Sequence, residues 1–148
     1  MFNTIYMKEA LLEAEKAFAK EEVPIGAVIV YGDKIIARAH NLKEERQDPT
    51  AHAEILAVKE AALYFRNWRL QGTTMYVTLE PCPMCAGALV QARVDTLVFG
   101  AWDNKAGAAG SLLNIVHFPK FNHRMEVFGG IMEEECKAIM QRFFERLR

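Results

Sequence analysis

Between residues 4 and 20, Tyr6, Met7, Ala10, Leu11, Ala14, Ala17 and Phe18 recur at helical spacing, with Lys8, Glu9, Glu13, Glu15 and Lys16 between them. That pattern predicts an amphipathic helix covering one side of a core. Residues 26–31 and 34–39 are short β-prone runs joined by Gly32-Asp33, the pattern of a hairpin. Asp48-Pro49-Thr50 supplies helix-start chemistry ahead of a second helix over 51–65, so His52 and Glu54 fall in its opening turn. Residues 74–79 and 96–99 are β-branched, aromatic or apolar almost throughout, as in central strands covered on both faces. Between them Pro81 opens a short helix carrying Cys82 and Cys85. Residues 101–123 hold several Gly, Asn and Asp and predict a loop with one helical turn around Leu112. A last strand over 124–128, a Gly129-Gly130 turn and a helix over 131–148 follow. One stripe of that helix carries Met132, Cys136, Ile139, Met140, Phe143 and Leu147.

Strands alternating with helices make this an α/β chain, with helices packed on a sheet of about five strands. No linker or internal repeat divides it, so residues 1–148 form a single domain, long enough to bury a real core. Half the residues are hydrophobic and a quarter charged, which excludes extended disorder. The net charge of −1 gives no overall basic field, so any RNA binding needs a local basic patch. The amino terminus alternates apolar and charged residues, the pattern of neither a signal peptide nor a membrane span, and the expected location is cytoplasmic. Three cysteines, two of them close together, make no disulfide framework; in a reducing compartment such a pair is more often catalytic or metal-binding.

The chemistry concentrates in His52-Ala53-Glu54 and, downstream, Pro81-Cys82-Pro83-Met84-Cys85. Cysteines three apart at a helix start share a face, and the helix's positive end together with a divalent cation favours both as thiolates. Two thiolates and one imidazole are a three-ligand zinc set that leaves the fourth tetrahedral position to water, the pattern of catalytic zinc. Zinc lowers the pKa of bound water to roughly 7. Glu54, two residues from His52, is placed to take a proton from that water and deliver it to a ring nitrogen and a leaving amine. Each element has a plainer reading. A lone His at a helix start is usually a cap or packed, a lone Glu there complements the dipole, and CxxC also occurs in redox and structural zinc sites. The combined HxE…PCxxC order is the signature of zinc deaminases. Cys136 lies on the apolar stripe of the last helix and reads as core, and His40, His117 and His123 lack ligand spacing to one another.

Across EVPIGAV (22–28), DPTAHAEI (48–55), TLEPCPMCAGA (78–88), VFGAWDNKAGAAGS (98–111), FNH (121–123) and the segment from EEEC to FFERLR (133–148), the chain resembles the bacterial tRNA-specific adenosine deaminases. The resemblance implies a three-layer α/β/α cytidine-deaminase-like fold. It implies one Zn2+ per chain on His52, Cys82 and Cys85, Glu54 as proton shuttle, and a homodimer. The implied activity is hydrolytic deamination of adenosine to inosine at the wobble position of tRNA, with an arginine tRNA of ACG anticodon as the expected partner. Pro24 and Ile25 resemble residues around the flipped base, Asn41 a polar contact to the target nucleotide, and Asp103, Lys105 and Phe144 residues near the anticodon loop. Ile25 and Phe144 read equally as core packing, and Asn41 as a turn residue. Trp102, just before Asp103, departs from the family pattern. The rival readings are a zinc deaminase of free cytidine, deoxycytidylate or guanine, and a noncatalytic zinc-containing RNA-binding module. Glu54 and the three-ligand count weigh against the module, and the FNH-to-FFERLR segment, through resemblance alone, against a free-nucleoside enzyme.

Overall fold

The three interior strands of the sheet are its best-buried ones. The computed structural model describes residues 2–147. It joins β1 (Gly26–Tyr31), β2 (Lys34–His40), β3 (Thr74–Leu79), β4 (Thr96–Ala101) and β5 (Glu126–Phe128) in the order β2-β1-β3-β4-β5. β3 takes the centre and β4 lies beside it, the two strands whose β-branched, aromatic and apolar composition predicts cover on both faces. β1 runs antiparallel to β2 and β3, whereas β3, β4 and β5 are parallel.

Side chains alternate between the faces with the strand period of two. Ile29, Met75, Val77, Leu97 and Phe99 face Ala53, Ala57 and Ala61 of α3 (Ala53–Phe65) and Ala86 and Leu89 of α4 (Pro83–Gln91). Val28, Val30, Tyr76 and Val98 face the other way, against Met7 and Ala10 of α1 (Thr4–Ala19) and Cys136 of α5 (Glu133–Arg146). The result is a three-layer α/β/α architecture. Alanines at every fourth position let α3 lie close on the sheet. α1 comes closer still: a Cβ on Gly26 would stand 2.0 Å from the Ala10 carbonyl oxygen, so only glycine fits where that helix crosses the start of β1.

Several boundaries differ from the expectation. α3 begins at Ala53, with His52 as an extended N-cap that makes no side-chain capping bond. Asp48 instead accepts the Thr50 amide and hydroxyl, both at 2.8 Å, and shapes the turn before the helix. α4 begins at Pro83 rather than Pro81, with Cys82 as N-cap. A short α2 (Lys43–Arg46) adds to the expected elements; its support is tertiary, the buried Glu22 carboxylate on the amides of Glu44 and Glu45, and has no local pattern. No helical turn forms around Leu112; the loop folds back on itself through a bridge between Ala109 and Asn114. β5 is shorter than the expected 124–128, since the Met125 amide bonds Val116 instead of the sheet. α5 starts at Glu133, and Arg148, its expected end, lies outside the described residues.

Candidate metal centre and active site

Because β1 opposes its neighbours, its N-terminal end lies beside the C-terminal ends of β2 and β3, and that of β4 follows. Loops at the carboxyl ends of parallel strands are where α/β sheets place their ligands. From β3 the chain runs through Glu80 and Pro81 to Cys82, the N-cap of α4, with Cys85 in its first turn. From β2 it runs through Asn41 and α2 to His52, the N-cap of α3, and the Leu42 amide on the Ala51 carbonyl closes that excursion. Two helix N-termini therefore converge, and their partial positive charge favours anionic side chains there.

His52 Nδ1 stands 3.7 Å from Cys82 Sγ and 3.5 Å from Cys85 Sγ. A tetrahedral ion bonded at about 2.0 Å to nitrogen and 2.3 Å to sulfur needs N···S edges of about 3.5 Å, so the three donors fit zinc. Among the described residues, His52, Cys82 and Cys85 form the group whose ligand atoms all lie within 4.8 Å of one another, and Glu54 is not one of them. The thiol chemistry agrees. A hydrogen bond from Cys85, helped by His52 and opposed by burial, brings Cys82 down to about 4. The Cys82 sulfur and then burial push Cys85 well above the usual thiol range. Hydrogen bonding to Cys82 raises His52. The protein alone supports one thiolate, and a divalent cation is what would make both sulfurs anionic.

Glu54 sits at the start of α3, 4% exposed. Burial raises its carboxyl to about 7, with Cys82 adding to the rise and the backbone amide and His52 offsetting part of it. Its Oε1 is buried without a hydrogen-bond partner in the protein. A desolvated carboxyl with a free oxygen beside, but outside, a three-donor metal set can carry a proton to something bound there.

A family model described as MafB19-like deaminase matches residues 1–148. The tRNA-specific adenosine deaminase of Bacillus subtilis (strain 168) is 56% identical over 146 residues, covering 99% of this chain and 91% of that one. The chain belongs to the tRNA-specific adenosine deaminase family. The chloroplastic tRNA(adenine(34)) deaminase of Arabidopsis thaliana is 48% identical over 161 residues, covering 97% of this deaminase and 12% of that protein. A solved tRNA:A34 deaminase superposes with a TM-score of 0.89 at 43% identity, over 93% of this chain and 99% of that one. The guanine deaminase of Bacillus subtilis superposes at 0.68 with 36% identity, over 75% and 71%.

In this deaminase the remaining candidates gather at the same edge. Pro24 is buried, and Ile25 is half-buried and packed against the core. Asn41 is buried; its amide group donates to the Val23 carbonyl and its Oδ1 accepts from the Lys43 amide, both at 3.4 Å, so it does hold a turn. Phe144 on α5 is 45% exposed and, with Asn41, Lys20 and Lys43, lines a groove of about 530 Å³. Asp103 and exposed Lys105 lie on the loop after β4, where the Asp103 carboxylate accepts the amides of Lys105 and Ala106 at 3.0 and 3.2 Å. Trp102 packs edge-on against Phe99. Cys136 is on the opposite face of the sheet, its thiol pushed up to about 12 by burial, and a Cβ on Gly100 would strike its sulfur. His40, His117 and His123 bond Glu13, Met125 and Val94 respectively, and none of them belongs to the ligand group.

One residue of this region had no signal in the sequence. Glu80 is buried between β3 and Pro81, with partners 23 to 31 positions downstream. Burial alone would raise it, but the Ser111 hydroxyl and the amides of Asp103, Ser111 and Ala109 hold it below the usual carboxylate range.

Proposed function

We propose that the protein hydrolyses adenosine to inosine at the wobble position of tRNA, releasing ammonia, with one zinc ion per chain on His52, Cys82 and Cys85. The observation that carries the reading is the buried, non-ligating Glu54 carboxyl beside a three-donor metal set. When bound, zinc supplies a Lewis acid that makes water nucleophilic near neutral pH. Glu54 Oε1 takes a proton from the attacking water and gives it to the purine ring nitrogen, then takes the remaining proton from the new hydroxyl and passes it to the amino group, which leaves as ammonia while the carbonyl forms. Pro24 and Ile25 form the apolar wall of the base pocket, and Asn41 meets the target nucleotide at the mouth. Asp103, Lys105 and Phe144 hold the flanking loop. No helix among the described residues is long and apolar enough to cross a membrane, and we place the enzyme in the cytoplasm with its substrate.

An anticodon-loop base is already unpaired and turns into a pocket for little unstacking energy, whereas a duplex base hides its reacting carbon. An arginine tRNA with ACG anticodon is the proposed substrate. The test is a panel of anticodon stem-loops, loop variants, free adenosine, cytidine and guanine, with inosine, uridine, xanthine and ammonia measured. Stem-loops should react fastest, with binding that weakens as salt rises because phosphates are contacted. Faster turnover of free cytidine or guanine would overturn the tRNA assignment and leave the zinc chemistry standing.

The working form is proposed to be a homodimer. Leu112, Leu113, Phe118 and Phe121 are exposed on the 101–123 segment, with the two phenyl rings 4.8 Å apart, an apolar surface that a second copy would cover. Sedimentation at working concentration should give a dimer, and a monomer alone would count against it.

A further inference from the structure

The loop after β4 is joined to the metal-binding segment chiefly by one side chain. Glu80, 1% exposed, accepts the Asp103 amide at 3.0 Å and the Ser111 hydroxyl on Oε1. On Oε2 it accepts the amides of Ala109 and Ser111, both at 3.0 Å. A carboxylate is acceptor-only with about four lone-pair sites, and here four donors meet it. The Ala108 amide, on the Pro81 carbonyl at 2.8 Å, makes a second stitch alongside. Gly107 permits the approach: a Cβ there would stand 2.4 Å from both Cδ and Oε1 of Glu80.

The consequences run in two directions from this carboxylate. Cys82 is two residues away along an extended Glu80-Pro81-Cys82 connection, so Glu80 moves with the metal-binding helix start. Asp103, whose amide Glu80 holds, in turn fixes the amides of Lys105 and Ala106 with its own carboxylate. The placement of Asp103 and Lys105 relative to the metal donors thus depends on Glu80.

We propose that Glu80 is a positioning residue that keeps the 103–111 loop in register with the metal centre, so that groups on the loop meet the nucleotides flanking the target base. This rests on the RNA-deaminase reading above. It touches recognition and not the reacting atoms, which separates it from Glu54.

Glu80→Gln keeps the side-chain volume but turns an NH2 group toward donors on one side, whichever way the amide lies. Three readouts apply to the zinc-loaded protein: zinc per chain, hydrogen exchange of the Asp103, Ala109 and Ser111 amides, and kinetics on an anticodon stem-loop. The expected result is exchange at those amides faster by about tenfold or more, and a KM about tenfold higher, as for loss of hydrogen bonds to a charged group. Zinc should stay at the wild-type level and kcat within about threefold. Ser111→Ala, which removes one hydroxyl donor and leaves Glu80 in place, should shift KM the same way by less, and serves if the Gln variant folds poorly. Unchanged exchange at the three amides, or a fall in zinc and kcat at constant KM, would overturn the proposal. A wild-type protein that deaminates no stem-loop, while the Gln variant still shows faster loop exchange, marks failure of the RNA reading and not of the tether.

Discussion

Glu54→Gln should leave zinc at the wild-type level and lower turnover by about 10²–10⁴, the usual contribution of a positioned acid–base group. The variant is nearly isosteric, so the base pocket keeps its shape and the loss should fall on kcat with little change in KM. The expectation follows from where the residue sits. Glu54 is 4% exposed, lies outside the ligand triplet, and carries a buried oxygen that no protein group satisfies. An amide there can still accept a hydrogen bond but cannot take a proton. Metal analysis paired with single-turnover rates on a stem-loop gives the answer. Zinc and activity vanishing together would make Glu54 a ligand or a structural residue instead.

Cys82→Ala should lose both metal and activity, with residual turnover no higher than that of the Glu54 variant. Two donors, His52 and Cys85, would remain, and Cys85 on its own is a thiol that burial keeps protonated. Since binding to the folded state alone stabilises by RT ln(1 + [L]/Kd), zinc should raise Tm in the wild type and not in this variant. Cys136→Ala is the matched control: its sulfur is buried on the other face of the sheet against Gly100, so the change should cost roughly 1 kcal/mol of stability and leave zinc and activity intact. Retention of zinc by Cys82→Ala, or its loss from Cys136→Ala, would overturn the ligand assignment.

The candidate metal donors, and Glu54 beside them, were legible in the sequence because each segment that carries them is local. His52 and Glu54 are two apart at a helix start, and Cys82 and Cys85 share one helical turn. Short-range spacing therefore specifies their geometry, and the helix period does the rest. The interior place of β3 and β4 also follows from composition, since their apolar and β-branched runs call for cover on both faces; the order β2-β1-β3-β4-β5, with β1 interior as well, came from the tertiary structure. Cys136 was legible as core for the same reason, its place on the apolar stripe of α5.

At both candidate ligand segments the helix starts two residues after the position its start chemistry predicts, and the cause is physical. Asp48 and Pro81 carry helix-start chemistry, but Asp48 spends its carboxylate on Thr50, and the Pro81 carbonyl is taken by Ala108. His52 and Cys82 thus become the N-caps, without side-chain capping bonds of their own. The same holds for α2, whose four residues have no apolar period and which the distant Glu22 supports.

What the sequence determined by itself was the fold class, the alternation of core-facing residues and the identity of the chemical groups, because these depend on periodicities of two to four residues. The tertiary structure alone decided three further things: that α3 and α4 aim their N-termini at one point, that Asn41 and Phe144 border one groove, and that Glu80 anchors the 103–111 loop. Each depends on contacts between segments far apart in the chain, which no local period encodes, and for Glu80 three of the four donors are backbone amides that any residue except proline can supply, so no residue pattern marks them in advance.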